Sequence, residues 1–311
     1  MTQSSIAVVV PTYKAKRHIL DVLESMPDSI NAVYVVDDKC PENSGEHVEA
    51  NCKDPRVKVL YNEENQGVGG ATLAGFQAAY DDGHTAFVKI DSDGQIPPSL
   101  ALPITEPLLE KRCDYAKGSR FTSSRDIGEM PLYRIVLNSI LTFTNKFASG
   151  YYSINDPTNG LVAIRREVFE RLQTEKIAKR YFFESDMLFH LNLARATVKD
   201  VPMKALYADE ESGLRLRDEA LNFALGNLSN FFKRIFIRHF LMNFSVPAIY
   251  FCVGVPMLLI GLFQGIYLWI DGAGGEPEPA GSVILPALMI IVGVNMITSF
   301  LLFDVNDEPR S

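Results

Sequence analysis

The chain has 311 residues, room for one large domain or two modest ones, and 47% hydrophobic residues, enough for a full core. A formal net charge of −8 argues against a general nucleic-acid binder, because phosphate backbones are met by clustered positive charge. Cys40, Cys52, Cys113 and Cys252 form no CxxC pair and no metal-ligand spacing with the five histidines, which speaks against zinc and agrees with a reducing compartment.

The opening "MTQSSIAVVVPTY" lacks a basic leader region, and its apolar run, Ile6 to Val10, suits a buried strand better than a signal peptide. The domain is therefore expected to stay in the compartment where it is made. Strand-length runs follow at 6–13, 32–38, 57–62, 85–91 and 114–120. Between them lie helical stretches, "HILDVLESM", "SGEHVEANC", "GGATLAGFQAAYDDG" and "PSLALPITEPLLEKR". Alternating β and α with continuous apolar strands predicts an α/β domain whose mainly parallel sheet is covered on both faces.

In such sheets ligands bind outside the carboxyl ends of the strands. The polar residues there are Thr12, Tyr13, Asp37, Asp38, Asn62, Asp91, Asp93, Ser119 and Arg120, which are expected to face one crevice. The glycines of "NQGVGGATLAGF" match neither the P-loop lysine pattern nor GxGxxG after a strand. Gly67, Gly69 and Gly70 fit a tight turn into a helix, or alternatively a backbone that approaches a nucleotide closely.

Beyond Arg120 the sequence predicts a long amphipathic helix in "PLYRIVLNSILTFTNKFASGYY", a strand and helix in "NGLVAIRREVFERL", and a helix in "RYFFESDMLFHLNLARA". These are candidates for a lid. From Asp218 to Met242, Leu221, Leu225, Leu228, Phe232, Ile235 and Phe236 recur at helical spacing beside Lys233, Arg234 and Arg238. Such a helix suits a membrane interface with anionic head groups, or else packs against a core.

Phe240 to Ile270 and Pro279 to Phe303 contain no charged residue, and each run exceeds the roughly 20 apolar residues needed to cross a bilayer. Two transmembrane helices are predicted, about 244–270 and 281–303. Lys233, Arg234 and Arg238 precede the first, whereas the linker Asp271 to Gly281 has no Lys or Arg. The positive-inside rule then puts the N-terminal domain and both termini in the cytoplasm. Neither apolar run contains an ionisable side chain that would mark a translocation path, so the pair reads as an anchor.

The chemistry centres on "KIDSDGQIPP". Asp91 and Asp93 stand one residue apart at a strand end, with Gly94 permitting the sharp exit. Two such carboxylates suit a hard divalent cation, and Mg²⁺ or Mn²⁺ shared with substrate phosphates would remove their repulsion. The bland rival is a solvated acidic turn.

Six ordered blocks raise the pair above that rival: "VVVPTYKAKRHI", "VYVVDDKCPENSG", "NQGVGGATLAGFQAA", "KIDSDGQIPP", "KGSR" and "NDPTNGLVAIRREVF". Together they resemble the motifs of inverting family 2 glycosyltransferases with the GT-A fold, in the branch of dolichyl-phosphate mannose synthase and the bacterial polyprenyl-phosphate glycosyltransferases. The resemblance spans about residues 5–240. It implies a cytoplasmic GT-A catalytic domain over 1–217, an amphipathic interfacial region over 218–242, and a membrane anchor over 243–311. By resemblance, Pro11 and Tyr13 line the nucleotide pocket and Asp38 holds the base or ribose. Asp91 and Asp93 form the metal and diphosphate motif, with Gln95 beside them. Arg120 and Arg134 face the acceptor phosphate, Asp156 is a proposed catalytic carboxylate, and Glu184 or Asp186 is a second candidate on the acceptor side. Lys14 and Lys39 depart from the Asn and small polar residue common at those positions.

The implied reaction moves a hexose from a UDP- or GDP-linked donor to a polyprenyl phosphate such as undecaprenyl phosphate, with inversion, at the cytoplasmic face of the membrane. A phosphate monoester with its second pKa of about 6 is largely dianionic at neutral pH and has no proton to surrender. Asp156 or Glu184 is therefore expected to position an arginine or sugar hydroxyls while Arg120 and Arg134 hold the acceptor anion. A separate flippase would move the product, and a homo-oligomer is compatible with the sequence. The rival readings are transfer to a polysaccharide or another lipid, though no QxxRW motif is present, and a non-catalytic nucleotide-binding membrane protein.

Overall fold

The structure is a computed structural model that describes residues 4–120, 132–203, 213–242, 245–272 and 279–310. The chain folds as two units, Met1–Phe231 with Pro309–Ser311, and Phe232–Glu308.

The first unit is built on β1 (Ile6–Thr12), β2 (Ala32–Asp37), β3 (Val57–Tyr61), β4 (Ala86–Lys89), β5 (Tyr115–Ser119), β6 (Val162–Arg165) and β7 (Val198–Pro202). They form one sheet in the order β3-β2-β1-β4-β6-β5-β7. β1 lies parallel to β2 and β4, and β2 lies parallel to β3, as the alternating pattern predicts. β6 enters antiparallel between β4 and β5. β7, which sequence reading did not find, pairs parallel with β5 as an edge strand ending in Pro202. Its half-buried, polar sequence "VKDVP" offers no apolar run to detect.

Alternate residues of the central strands feed two cores. Val8, Val10, Val33 and Val35 pack with Ile19, Val22 and Leu23 of α1 (Ile19–Glu24), Val48 of α2 (Ser44–Asn51) and Ile104 and Leu108 of α4 (Ala101–Leu109). Ala7, Val9, Tyr34 and Val36 pack on the other face with Phe76 and Ala79 of α3 (Gly67–Asp81) and with Phe183, Met187 and Leu191. The remaining helices of this part of the chain are α5 (Leu132–Ser149), the one-turn α6 (Arg166–Phe169), α7 (Phe183–Leu193) and α8 (Gly213–Phe236). α8 begins five residues before the expected Asp218 and continues into a π-helical turn, Ile237–Met242.

Within the first unit α8 buries Phe223 against Phe182, but two amides share that buried face. Asn227 and Asn230 are buried, Asn227 close to Asn145 and Asn230 donating to Asp186 at 2.7 Å, whereas Leu221, Leu225 and Leu228 are exposed.

The second unit holds α9 (Val246–Gly272) and α10 (Ala280–Asn306), both long and apolar enough to cross a membrane. Small residues let them touch: a side chain on Gly293 would meet the backbone N of Leu258 at 2.7 Å, and one on Gly254 would meet Met296 Cβ at 2.8 Å. α10 runs past the apolar stretch to Asn306, so that Asp304 lies on the helix and takes a two-pronged ion pair from buried Arg234, both bonds at 2.7 Å. Arg238 pairs with Asp307. Of the three cations read as head-group partners, Lys233 alone is exposed, because the acidic end of α10 engages the two arginines.

α3 sits so close to the sheet that a Cβ on Gly75 would overlap Val9 Cγ1. Gly75→Ala should therefore cost about 1–3 kcal/mol through overpacking, whereas Gly281→Ala, with nothing within 4 Å, should leave the melting curve unmoved. Thermal or denaturant unfolding of the two variants in detergent checks this.

Candidate active site

The polar strand ends form two linked charge clusters. In the first, Lys89 closes β4 with its side chain wholly buried. An ammonium carries three donors. Lys89 Nζ meets three oxygens: Asp91 Oδ1 at 2.8 Å, Glu184 Oε1 at 3.1 Å and the Gly160 carbonyl at 3.3 Å. Burial opposes the charge, but Asp91 and Glu184 more than offset it and raise the Lys89 pKa. Asp91 Oδ2 lies where a side chain on Gly160 would stand. Asp93 is exposed and accepts the Gln95 backbone N–H at 3.0 Å across a turn made by Gly94 at φ +78.

The second cluster joins Arg120 and Asp156. The Asp156 carboxylate is buried and accepts from Arg120 Nε at 2.7 Å, Arg120 Nη2 at 2.9 Å, the Arg120 backbone N–H at 3.2 Å and Asn159 Nδ2 at 3.1 Å. Burial works to raise its pKa, yet the Arg120 hydrogen bonds and charge outweigh it and hold the carboxyl below its ordinary range. Such a carboxylate is a poor base and a good clamp. Lys117, also buried, donates to the Asn159 carbonyl at 2.7 Å, so that two buried lysines grip consecutive carbonyls, Asn159 and Gly160, of the same loop. Desolvation lowers the Lys117 pKa to about 8. Its cross-strand partner Asp200 accepts from the Asn155 N–H at 2.8 Å, and burial pushes its pKa up to about 6.

Arg134 falls in the first turn of α5, where its side chain lies outside the described residues. Asp186 is occupied structurally, by Asn230 and by the Ala178 N–H at 2.7 Å.

On the nucleotide side, Pro11 lies on β1 opposite Val36, and Tyr13 is half exposed just beyond it. The Asp38 carboxylate accepts Asn62 Nδ2 at 2.8 Å, the Gln66 N–H at 2.9 Å and the Gly67 N–H at 2.7 Å, so that it caps the start of α3. Asp37 does the same for α2 through the Gly45 N–H and also accepts the Cys40 N–H of the preceding turn, both at 2.7 Å. The glycines that open α3 have a packing reason. A side chain on Gly69 would strike the Phe183 ring at 2.6 Å, and one on Gly67 would strike the Lys179 carbonyl at 2.8 Å. Lys14 and Lys39 both adopt left-handed backbone, φ +56 and +52, a conformation that Asn tolerates better.

Sequence reading named Asp91, Asp93, Arg120, Asp156 and Glu184, which the structure places in these two clusters, and did not name Lys89, Lys117 and Asn159, which join them. The available signal was a lysine set inside each of two apolar strands, "AFVK" and "YAKGS". Among the described residues no three His, Cys, Asp or Glu side chains gather as a metal site. Asp91 and Asp93 nonetheless offer hard oxygen donors of the kind a divalent cation shares with a diphosphate.

The sequence profile described as "Glycosyl transferase family 2" matches residues 7–173, more than half the chain, and the protein belongs to that family. It is 27% identical over 67% of its length to a UDP-N-acetylglucosamine–dolichyl-phosphate N-acetylglucosaminyltransferase of Methanococcus voltae, 88% of which is covered. It is 28% identical over 70% of its length to a polyprenol monophosphomannose synthase of Mycolicibacterium smegmatis, with 84% of that protein covered. Glucosyl-3-phosphoglycerate synthase of Mycobacterium tuberculosis bound to UDP superposes with a TM-score of 0.55 at 18% identity, over 74% of this chain and 80% of that one. A complex of the same enzyme contains Mn²⁺, UDP and glucosyl-3-phosphoglycerate, with a TM-score of 0.52. The fold is GT-A.

A carboxylic acid whose folded pKa is raised contributes stability below its unfolded pKa of about 4 and loses it as pH rises through the folded value. For Asp200 that window runs from about 4 to about 6. The stability of Asp200→Asn relative to the parent should therefore rise across this window and level off above it. Thermal melts at pH 4, 5, 6 and 7 read the difference; a constant difference would contradict the assignment.

Proposed function

We propose that the protein transfers a hexose from a nucleotide sugar to a polyprenyl phosphate at the cytoplasmic face of a membrane. The observation that carries this reading is the presence, at one end of the sheet, of a diphosphate-type carboxylate motif, Asp91 and Asp93 after β4, and a basic group, Arg120 after β5, clamped by Asp156. The names of the Methanococcus and Mycolicibacterium relatives support a polyprenyl-phosphate acceptor, and the UDP in the Mycobacterium structures supports a nucleotide donor. Two apolar helices and the outward leucines of α8 support a site held at a lipid surface, with residues 1–217 as the catalytic domain, 218–242 as the interfacial region and 243–311 as the anchor.

In this reading Asp38, Tyr13 and Pro11 border the nucleoside and Gln95 stands beside the diphosphate motif. Asp91 and Asp93 would hold Mg²⁺ or Mn²⁺, which when bound supplies electrostatic stabilisation to the departing diphosphate. Arg120, with Arg134, binds the acceptor phosphate, and one phosphate oxygen attacks the anomeric carbon from the face opposite the nucleoside diphosphate. The dianion needs no general base, so Asp156 orients Arg120 and Glu184 holds Lys89. The product then requires a separate flippase to cross the bilayer.

The test is purified protein in detergent with Mn²⁺ or Mg²⁺, undecaprenyl phosphate and radiolabelled UDP- and GDP-sugars. Label should enter the organic phase from one donor and disappear in Asp93→Ala; no lipid label from any donor would refute the acceptor. Asp156→Asn, which keeps the shape but weakens the hold on Arg120, should raise the KM for the lipid phosphate several-fold. Its deficit should be the same at pH 6.5 and 8.5. Recovery at high pH would instead identify Asp156 as a base.

A further inference from the structure

Lys89 lies outside the set of residues that would touch substrate, yet the site is organised around it. Its ammonium is enclosed by Asp91, Glu184 and the Gly160 carbonyl, one acceptor for each donor. Asp91 is thereby held from two sides: Oδ1 by Lys89, and Oδ2 against the bare backbone of Gly160, where a methyl group would overlap it. Gly160 takes no left-handed backbone, so its requirement is space for this carboxylate.

The charges sharpen the point. Asp91, Asp93 and Glu184 sum to −3, and Lys89 reduces the group to −2. Lys89 is nearer to Asp91 than any other cation the structure pairs with it, and its charge works directly against a second cation on the same carboxylate. A nucleoside diphosphate brings its own negative charge and restores the attraction.

We infer that Lys89 is a positioning residue that fixes the Asp91 carboxylate and makes divalent-cation capture wait for the nucleotide diphosphate. This rests on the glycosyl-transfer reading above. The site is weak for cations when empty and strong when the donor is present, which orders binding and spares the empty enzyme a tightly held ion.

The test is Mn²⁺ titration of the full-length protein in detergent, followed by electron paramagnetic resonance of the free ion, with no nucleotide and then with UDP or GDP. In the parent, nucleotide should tighten Mn²⁺ binding strongly. Lys89→Gln should tighten binding of Mn²⁺ alone by at least about tenfold, because it removes one buried positive charge close to the cation. Glu184→Gln should weaken it several-fold. The double variant, which removes one charge of each sign, should return within about twofold of the parent while transfer stays slow, and it serves if Lys89→Gln alone does not fold. Gly160→Ala changes no charge but displaces Asp91, and should weaken Mn²⁺ binding in the presence of nucleotide by at least fivefold. Opposite signs for the two single variants would distinguish a charge effect on the cation from mere structural support, and the Gly160→Ala loss would show the positioning. Equal Mn²⁺ affinities for the parent, Lys89→Gln and Glu184→Gln, in a protein that binds nucleotide and transfers sugar, would overturn this inference alone. Failure of the parent to bind either nucleotide would overturn the transfer reading with it.

Discussion

A buried charge must find its partners inside the protein, and the arrangement of this site follows from that requirement. Taking an ammonium or a carboxylate out of water costs several kcal/mol unless hydrogen bonds and an opposite charge replace the solvent. Lys89, Lys117, Asp156 and Glu184 are all buried at one end of the sheet. No single strand could satisfy them. β4 brings Lys89, β5 brings Lys117 and Arg120, α7 brings Glu184, and the loop before β6 brings Asp156, Asn159 and Gly160. The loop is therefore gripped at three successive points by side chains from two strands, and its position is fixed by electrostatic necessity. Asp91 and Arg120, the carboxylate and guanidinium proposed to meet substrate, are held by the same contacts.

The same requirement explains what was legible in the sequence. Val8 to Val10 and Val33 to Val36 announce central strands because both faces of a parallel sheet are covered. Asp91, Asp93 and Arg120 are legible because they stand where such strands end, and Asp156 because of its motif. Lys89 and Lys117 were not, since a lysine inside an apolar strand has meaning only once its partners, 71 and 95 residues away for Lys89 and 42 for Lys117, are known. β7 was illegible for a plainer reason: an edge strand with one wet side carries no continuous apolar run.

Two ambiguous motifs are decided by packing. The glycines at the head of α3 could have served a phosphate, but the Phe183 ring and the Lys179 carbonyl occupy the space their missing side chains leave. Asp37 and Asp38 look alike in "VVDD", and each caps a different helix, α2 and α3 respectively. Asp38 nevertheless sits in a stretch of strained backbone, with Lys39 left-handed and Lys14 left-handed across the neighbouring strand end. Lysine at such positions costs more than asparagine would. Strain of this kind collects at binding sites, which keeps the edge of the proposed nucleoside site at these two residues.

α8 links the site to the surface proposed to face the membrane. Its buried amides are used up on Asn145 and Asp186, and its leucines face outward, the reverse of what water would select. Asp186 lies on α7 two residues after Glu184, which holds Lys89 and through it Asp91. The face of α8 that packs on the domain is thus tied, by one intervening helix, to the carboxylate proposed to meet the donor. An enzyme whose acceptor lies in a bilayer and whose donor comes from water needs such a rigid connection, because the two substrates meet only if the depth of the site below the head groups is constant. If α8 lies in the interface, as proposed, the hydrogen-bonded link from α8 through α7 to the end of β4 supplies that connection.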